Sequence, residues 1–228
     1  STPRWTFLRR GCATVSKERR VLDRHLHPRL KPLLHRCAGV LDRPGISPDG
    51  LTLVGFALGV LAVPWLAQGG YLAALVAIAL NRLLDGLDGA LARRRGLTDA
   101  GGFLDIALDF LFYALVPFGF ILADPQHNAL AGSWLLFAFI GTGSSFLAFA
   151  ALAAKHNIDN PGYAHKSFYY LGGLTEGTET IALFVLGCLF PAYFAVLAWV
   201  FGTLCWMTTL TRVWSGYLTL KGLQRQNG

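Results

Sequence analysis

The sequence predicts an all-α, polytopic membrane protein of about six transmembrane helices, preceded by an amphipathic helix on the membrane surface. Three observations lead there. The 228 residues are 54% hydrophobic and only 14% charged, whereas a soluble domain carries roughly a quarter charged residues. Mean hydropathy is +0.46. The charge is also segregated: it gathers in the N-terminal segment, in alternate loops and in the tail, and leaves apolar runs of membrane-spanning length between them.

Residues 1–46 form the basic segment. Leu22, Leu26, Leu30, Leu33, Leu34, Cys37 and Leu41 recur at helical spacing, with Arg24, Arg29, Lys31 and Arg36 between them. That pattern fits a basic helix lying on a membrane face, divided by Pro28 and Pro32. Residues 47–228 form the membrane domain. Ser47, Pro48 and Asp49 read as a helix start, and the first span then runs to about Leu66. The turn AQGGY leads to a second span over 71–93, and the loop RRRGLTDAGG to a third over 102–123. DPQHN reads as a turn before a fourth span over 130–154, whose GTGSS patch suits close helix packing. A polar loop precedes a fifth span over 176–190. Pro191 breaks the chain before a sixth span, which runs to about Leu210 and is followed by a short basic tail.

Lys and Arg are absent from AQGGY, DPQHN and the connection around Pro191, and present in every alternate segment. By the positive-inside rule both termini face the cytoplasm. The net charge of +7 then reads as topology and headgroup attraction rather than nucleic-acid binding. No cleavable signal peptide is expected, because the first apolar run begins near Leu51. The four cysteines show no CxxC spacing and read as apolar fillers. The six histidines show no metal-ligand spacing.

The chemistry concentrates in 81–109, NRLLDGLDGALARRRGLTDAGGFLDIALD. Asp85 and Asp88 stand at i and i+3, Asp105 and Asp109 at i and i+4, so on helices each pair projects from one face. Acids in or beneath a bilayer need a compensating partner. Oxygen-rich carboxylate groups suit Mg²⁺ or Mn²⁺, so the stretch reads as a carboxylate metal site at a membrane surface.

Asp85-x-x-Asp88-Gly89-x-x-Ala92-Arg93 followed by Gly101-x-x-x-Asp105-x-x-x-Asp109 resembles the signature of the CDP-alcohol phosphotransferases. Seven residues separate Arg93 from Gly101, where that family usually has eight. Asp49 stands in the Ser47-Pro48-Asp49-x-Leu51-Thr52 entry where Asn is commoner. The resemblance implies an integral membrane enzyme of phospholipid biosynthesis that moves a phosphatidyl or similar substituted phosphate group from a CDP-linked lipid, such as CDP-diacylglycerol, to an alcohol. CMP is released. It also implies a homodimer on the cytoplasmic (inner) membrane, with the motif on the cytoplasmic side.

Within that reading two Mg²⁺ or Mn²⁺ ions are held by Asp85, Asp88 and Asp105, with Asp109 touching one of them while serving as the general base. Thr52, Asp88, Gly89, Ala92, Arg93 and Gly101 are the expected CDP contacts. Gly89 bares the helix backbone for the nucleotide and Arg93 forks onto a phosphate oxygen. Arg94 and Arg95 read as topology anchors. Lys155, Lys166 and Arg212 suit either an acceptor's phosphate or topology anchoring. Glu176 and Glu179 suit either acceptor hydroxyls or a helix N-terminus. Two other functions fit an acidic membrane motif: an Mg²⁺-dependent intramembrane prenyltransferase and a divalent-cation transporter. The first usually starts from Asn-Asp-x-x-Asp, which Asn81 is too far from Asp85 to supply. The second needs polar residues through the whole membrane depth, and the other half of this one is apolar.

Overall fold

A computed structural model of the chain describes residues 39, 42, 45–155 and 177–226, with side chains to 222. The expected surface helix of the N-terminal segment, Lys166 and Glu176 lie outside the described residues. The described chain is helical, with no strand among the described residues. Its elements are α1 (Pro48–Val60), α2 (Ala62–Ala67), α3 (Tyr71–Arg95), α4 (Asp99–Ala123), α5 (Pro125–Lys155), α6 (Gly177–Leu189), a 3₁₀ turn (Pro191–Tyr193) and α7 (Phe194–Gln226).

Four stretches are long and apolar enough to cross a membrane: Pro48–Ala67, Asp99–Ala123, Pro125–Lys155 and Pro191–Gly222. The 20 residues of the first rise about 30 Å, the thickness of a hydrocarbon core. Its break at Leu61 follows from Pro64, which has no N–H and crowds the carbonyl four residues earlier, at Val60. At 25 residues α3 is also long enough, but from its middle onwards it carries Arg82, Asp85, Asp88 and three terminal arginines. The described part of α6 is a shorter apolar helix.

Several boundaries differ from the sequence reading. The third span, α4, begins at Asp99, not near Gly102, because the Thr98 hydroxyl accepts from Gly101 N at 3.1 Å and caps it. DPQHN is the first turn of α5 rather than a separate turn: Asp124 accepts from His127 N at 3.2 Å, and Pro125 fills the first helical position. The last helix continues through the expected tail to Gln226. At the other entry, Ser47 caps α1 from the expected position, its hydroxyl accepting from Gly50 N at 3.0 Å.

Glycines set the helix spacing, since lipid offers no hydrophobic drive and close van der Waals contact must supply the attraction. Gly55 and Gly59 let α1 lie on α3 and α4. A Cβ on Gly55 would stand 3.1 Å from Leu84 Cβ, and one on Gly59 2.7 Å from Phe112. In the GTGSS patch, Gly143 receives Phe110 of α4 and Gly141 faces Thr209 and Trp206 of α7. The buried core is aromatic: Phe120 stacks on Phe194 at 4.1 Å, and Phe112 meets Phe184 edge-on at 6.3 Å. Cys188 and Cys205 are buried fillers of this core.

Candidate active site

The start of α1, the second half of α3 and the first half of α4 meet at one end of the bundle. They form an open cleft lined by polar Thr52, Asn81, Arg82, Asp85, Asp88, Asp105 and Asp109, with Phe56 and Leu108 as apolar wall. Opposite chain directions and a shared packing partner, α1, explain the meeting. α3 runs towards this end and α4 away from it, and both pack on α1, so the acids of the last turns of one and the first turns of the other reach the same cleft.

Asp85, Asp88 and Asp105 each offer a carboxylate oxygen, and the three oxygens lie within 4.8 Å of one another. Like charges this close repel strongly unless a cation joins them, and an all-oxygen donor set is the kind that hard divalent ions prefer. The residues therefore fit Mg²⁺ or Mn²⁺. Asp88 is buried, and Thr52 Oγ1 donates to its Oδ2 at 2.5 Å. The same hydroxyl lies 3.1 Å from the Pro48 carbonyl. Its single proton favours the charged acceptor.

Asp109 lines the cleft but is held differently. Its Oδ1 accepts from Arg82 Nη2 at 2.7 Å. Arg82 also donates from Nε to Asn81 Oδ1 at 2.7 Å, and its Nη1 lies 3.5 Å from Asp85 Oδ2. Sequence reasoning passed over Arg82. The available signal was an arginine inside an apolar run, three residues before Asp85, which in a membrane demands a carboxylate partner.

The other expected contacts do not line the cleft. Gly89 and Ala92 continue α3, and the bare face of Gly89 lies 3.4 Å, measured from an ideal Cβ, from the exposed Arg93 guanidinium. Gly101 sits where a Cβ would meet Thr98 Oγ1 at 2.9 Å and Asp49 Oδ1 at 3.0 Å, so Asp49 packs against the start of α4. Arg94 and Arg95 do more than anchor a loop. Both pair with Asp42, at 3.5 and 2.8 Å, and Arg95 also donates to the Ile46 carbonyl. The Arg95 hydrogen bond holds the Asp42 carboxyl below its usual range. Lys155 is exposed at the end of α5. Arg212 is half-buried on α7, donating to the Thr142 carbonyl at 2.9 Å beside the Phe146 ring. Glu179 lies in the first turn of α6.

A membrane helix bundle with a carboxylate cluster able to bind divalent ions at one end suits an enzyme that handles phosphate esters at a bilayer. The chain matches the family model of CDP-alcohol phosphatidyltransferase over residues 46–214 and belongs to that family. It is 86% identical over 206 residues to the inner membrane protein YnjF of Escherichia coli, covering 90% of this chain and all of that one. To the phosphatidylinositol phosphate synthase of Mycobacteroides abscessus it is 30% identical, over 75% of this chain and 74% of that protein. Its fold is similar to the crystal structure of Mycobacterium tuberculosis phosphatidylinositol phosphate synthase with CDP-DAG bound. The TM-score is 0.57 at 20% identity, covering 82% and 94% of the two chains. The mycobacterial enzyme has also been solved with manganese and citrate. The chain is thus an integral membrane transferase of phospholipid biosynthesis, and the prenyltransferase and transporter readings fall away.

Proposed function

We propose that the enzyme transfers a phosphatidyl group from CDP-diacylglycerol to a phosphorylated polyol, at the cytoplasmic face of the inner membrane. The observation that carries the site assignment is the convergence of the Asp85, Asp88 and Asp105 oxygens within 4.8 Å. These three residues would hold the divalent ions, two in number, and ions held there would supply positive charge to neutralise the pyrophosphate and polarise the phosphorus. The manganese complex and the CDP-DAG complex of the mycobacterial enzyme support this choice of cofactor and donor.

Thr52 holds the Asp88 carboxylate through its hydrogen bond to Oδ2. Gly89 leaves the α3 backbone bare for the nucleotide, Ala92 and Gly101 are further CDP contacts by the family resemblance, and Arg93 forks onto a phosphate oxygen. Asp109 accepts the proton of the acceptor hydroxyl. The hydroxyl oxygen forms a bond to the phosphorus that carries the diacylglycerol. The bridging P–O bond of the pyrophosphate breaks, and its electron pair leaves on CMP. Phe56 and Leu108 form the apolar side of the cleft, which suits a donor whose acyl chains remain in lipid.

Lys155, Lys166 and Arg212 are basic residues suited to an acceptor phosphate. The phosphatidylinositol phosphate synthase among the relatives supports a phosphorylated acceptor. The absence of Lys and Arg from alternate loops supports six spans with the cleft on the cytoplasmic side. The functional unit is a homodimer, by the family resemblance. The test is CMP release by purified protein from CDP-diacylglycerol and Mn²⁺ with a panel of free and phosphorylated polyols. Phosphorylated polyols should be preferred, and Lys155→Ala or Arg212→Ala should raise the acceptor KM far more than the donor KM. Preference for serine or another unphosphorylated alcohol overturns the acceptor assignment.

A further inference from the structure

The last helix is longer than a span requires. α7 has 33 residues and rises about 50 Å, whereas a hydrocarbon core is about 30 Å thick. Beyond Thr209 its exposed face is an apolar stripe. Leu210, Val213, Trp214, Tyr217 and Leu218 follow one another at i, i+3, i+4, i+7 and i+8, and exposed Lys221 closes the row. Lys221 Nζ lies 5.5 Å from the Tyr217 ring centroid. The opposite face is packed: a Cβ on buried Gly216 would stand 3.0 Å from Phe149 of α5.

Two aromatic levels mark the membrane. Tyr193, 64% exposed, stands just before α7, and Trp214, 58% exposed, lies towards its other end. The chain between them rises about 30 Å, one hydrocarbon thickness, and Trp and Tyr gather at both membrane–water interfaces. Contacts through α5 relate the second level to the acids. Arg212 donates to the Thr142 carbonyl, and the adjacent Gly143 receives Phe110 of α4, the neighbour of Asp109. α7 runs towards the cleft end and α4 away from it, so Trp214 and Tyr217 flank the depth of Asp105. We propose that the Trp214–Tyr217–Lys221 stripe docks in the headgroup layer of anionic lipid and sets the depth of the cleft, bringing the donor's pyrophosphate level with the acids.

Two requirements coincide at that level. Carboxylates are costly in hydrocarbon, and a CDP-linked lipid carries its phosphates in the headgroup layer while its acyl chains stay in the core. Indole and phenol rings resist movement in either direction, because each has an apolar body and a polar edge. Lys221 adds attraction for anionic headgroups. The inference rests on the donor being a CDP-linked lipid, and it separates from a merely structural role by the donor used. A stripe that only stabilised the helix would matter equally for every donor. A stripe that sets depth matters for a donor embedded in a bilayer and not for one that diffuses in from water.

The experiment uses the full chain in vesicles of phosphatidylcholine, alone or mixed with phosphatidylglycerol. Trp214 fluorescence, taken as the difference between wild type and Trp214→Phe, is quenched by lipids brominated near the carbonyl or near the methyl end of the acyl chain. Shallow bromines should quench more than deep ones. Brominated phosphatidylglycerol should be preferred over phosphatidylcholine, and Lys221→Gln should cut that preference by about fivefold. CMP release is then measured across the acceptor panel with a long-chain donor in the bilayer and a short-chain, water-soluble donor in detergent. Trp214→Ala with Tyr217→Ala should lower kcat/KM for the bilayer donor roughly tenfold, within the cost of a misplacement near 1 Å. For the soluble donor it should stay within about twofold of wild type. Trp214→Leu keeps apolar area without the polar edge and covers the case in which the alanine variant fails to fold. Deeper quenching, a stripe shielded from lipid by a second copy, equal preference for the two lipids, or equal losses with both donors overturns the proposal. No CMP release by wild type from either donor would instead overturn the donor reading beneath it, while the quenching result would still decide whether the stripe docks.

Discussion

Replacing Gly59 by alanine tests whether the close approach of α1 to α3 and α4 sets the active site. A Cβ there would lie 2.7 Å from Phe112 Cδ2 and 2.9 Å from Asn81 Nδ2. Carbon atoms rest at about 3.5 Å or more, so the ring or the helix must retreat by about 0.8 Å. Overpacking of this kind costs about 1–3 kcal/mol, and removing a glycine from a helix returns about 1 kcal/mol. The net loss of stability is small, about 0–2 kcal/mol. The two groups displaced are the ones that support Arg82: Phe112 lies against its guanidinium and Asn81 accepts from its Nε. A misplacement near 1 Å in a catalytic array costs up to about 10²-fold in rate. Turnover should thus fall about tenfold or more while the protein remains folded, as judged by size-exclusion elution and thermal melting in detergent. Gly102→Ala is the control, since a Cβ there meets nothing within 4 Å. Turnover by Gly59→Ala within twofold of wild type would refute the link between helix approach and site geometry.

Four further outcomes are expected. Thr52→Val keeps the side chain's shape and removes the donor to Asp88, a hydrogen bond to a charged group worth about 1.5–3 kcal/mol; Mn²⁺ affinity measured by titration should drop by about tenfold or more. Asp85→Asn and Asp105→Asn should each abolish CMP release and weaken Mn²⁺ binding, and added Mn²⁺ should not restore normal turnover. Asp109→Asn should leave calorimetric binding of the CDP-donor with Mg²⁺ largely intact while turnover falls about 10²–10⁴-fold; equal loss of both would make Asp109 chiefly an ion ligand. In a background without the native cysteines, a cysteine at exposed Gln126 should react with impermeant thiol reagents from outside and one at exposed Leu97 should not, and the reverse pattern would place the cleft on the other face.

Much of this protein was fixed by one-dimensional pattern. Membrane insertion depends on summed hydropathy along the chain, so the helical class and most spans were legible before any contact was known. The four acids were legible because helical periodicity alone aligns Asp85 with Asp88 and Asp105 with Asp109. Helix ends were less so: caps at Thr98 and Asp124 extend α4 and α5 through segments that composition alone marks as loops. Contacts between distant residues belong to the tertiary structure. Thr52 and Asp88 are 36 residues apart, and Arg82 and Asp109 are 27 apart. Which acid meets an arginine, and which two meet a third acid, depends on the rotation of each helix about its axis. That rotation is set by where Gly55 and Gly59 let α1 sink against Leu84, Asn81 and Phe112, and only packing in three dimensions decides it.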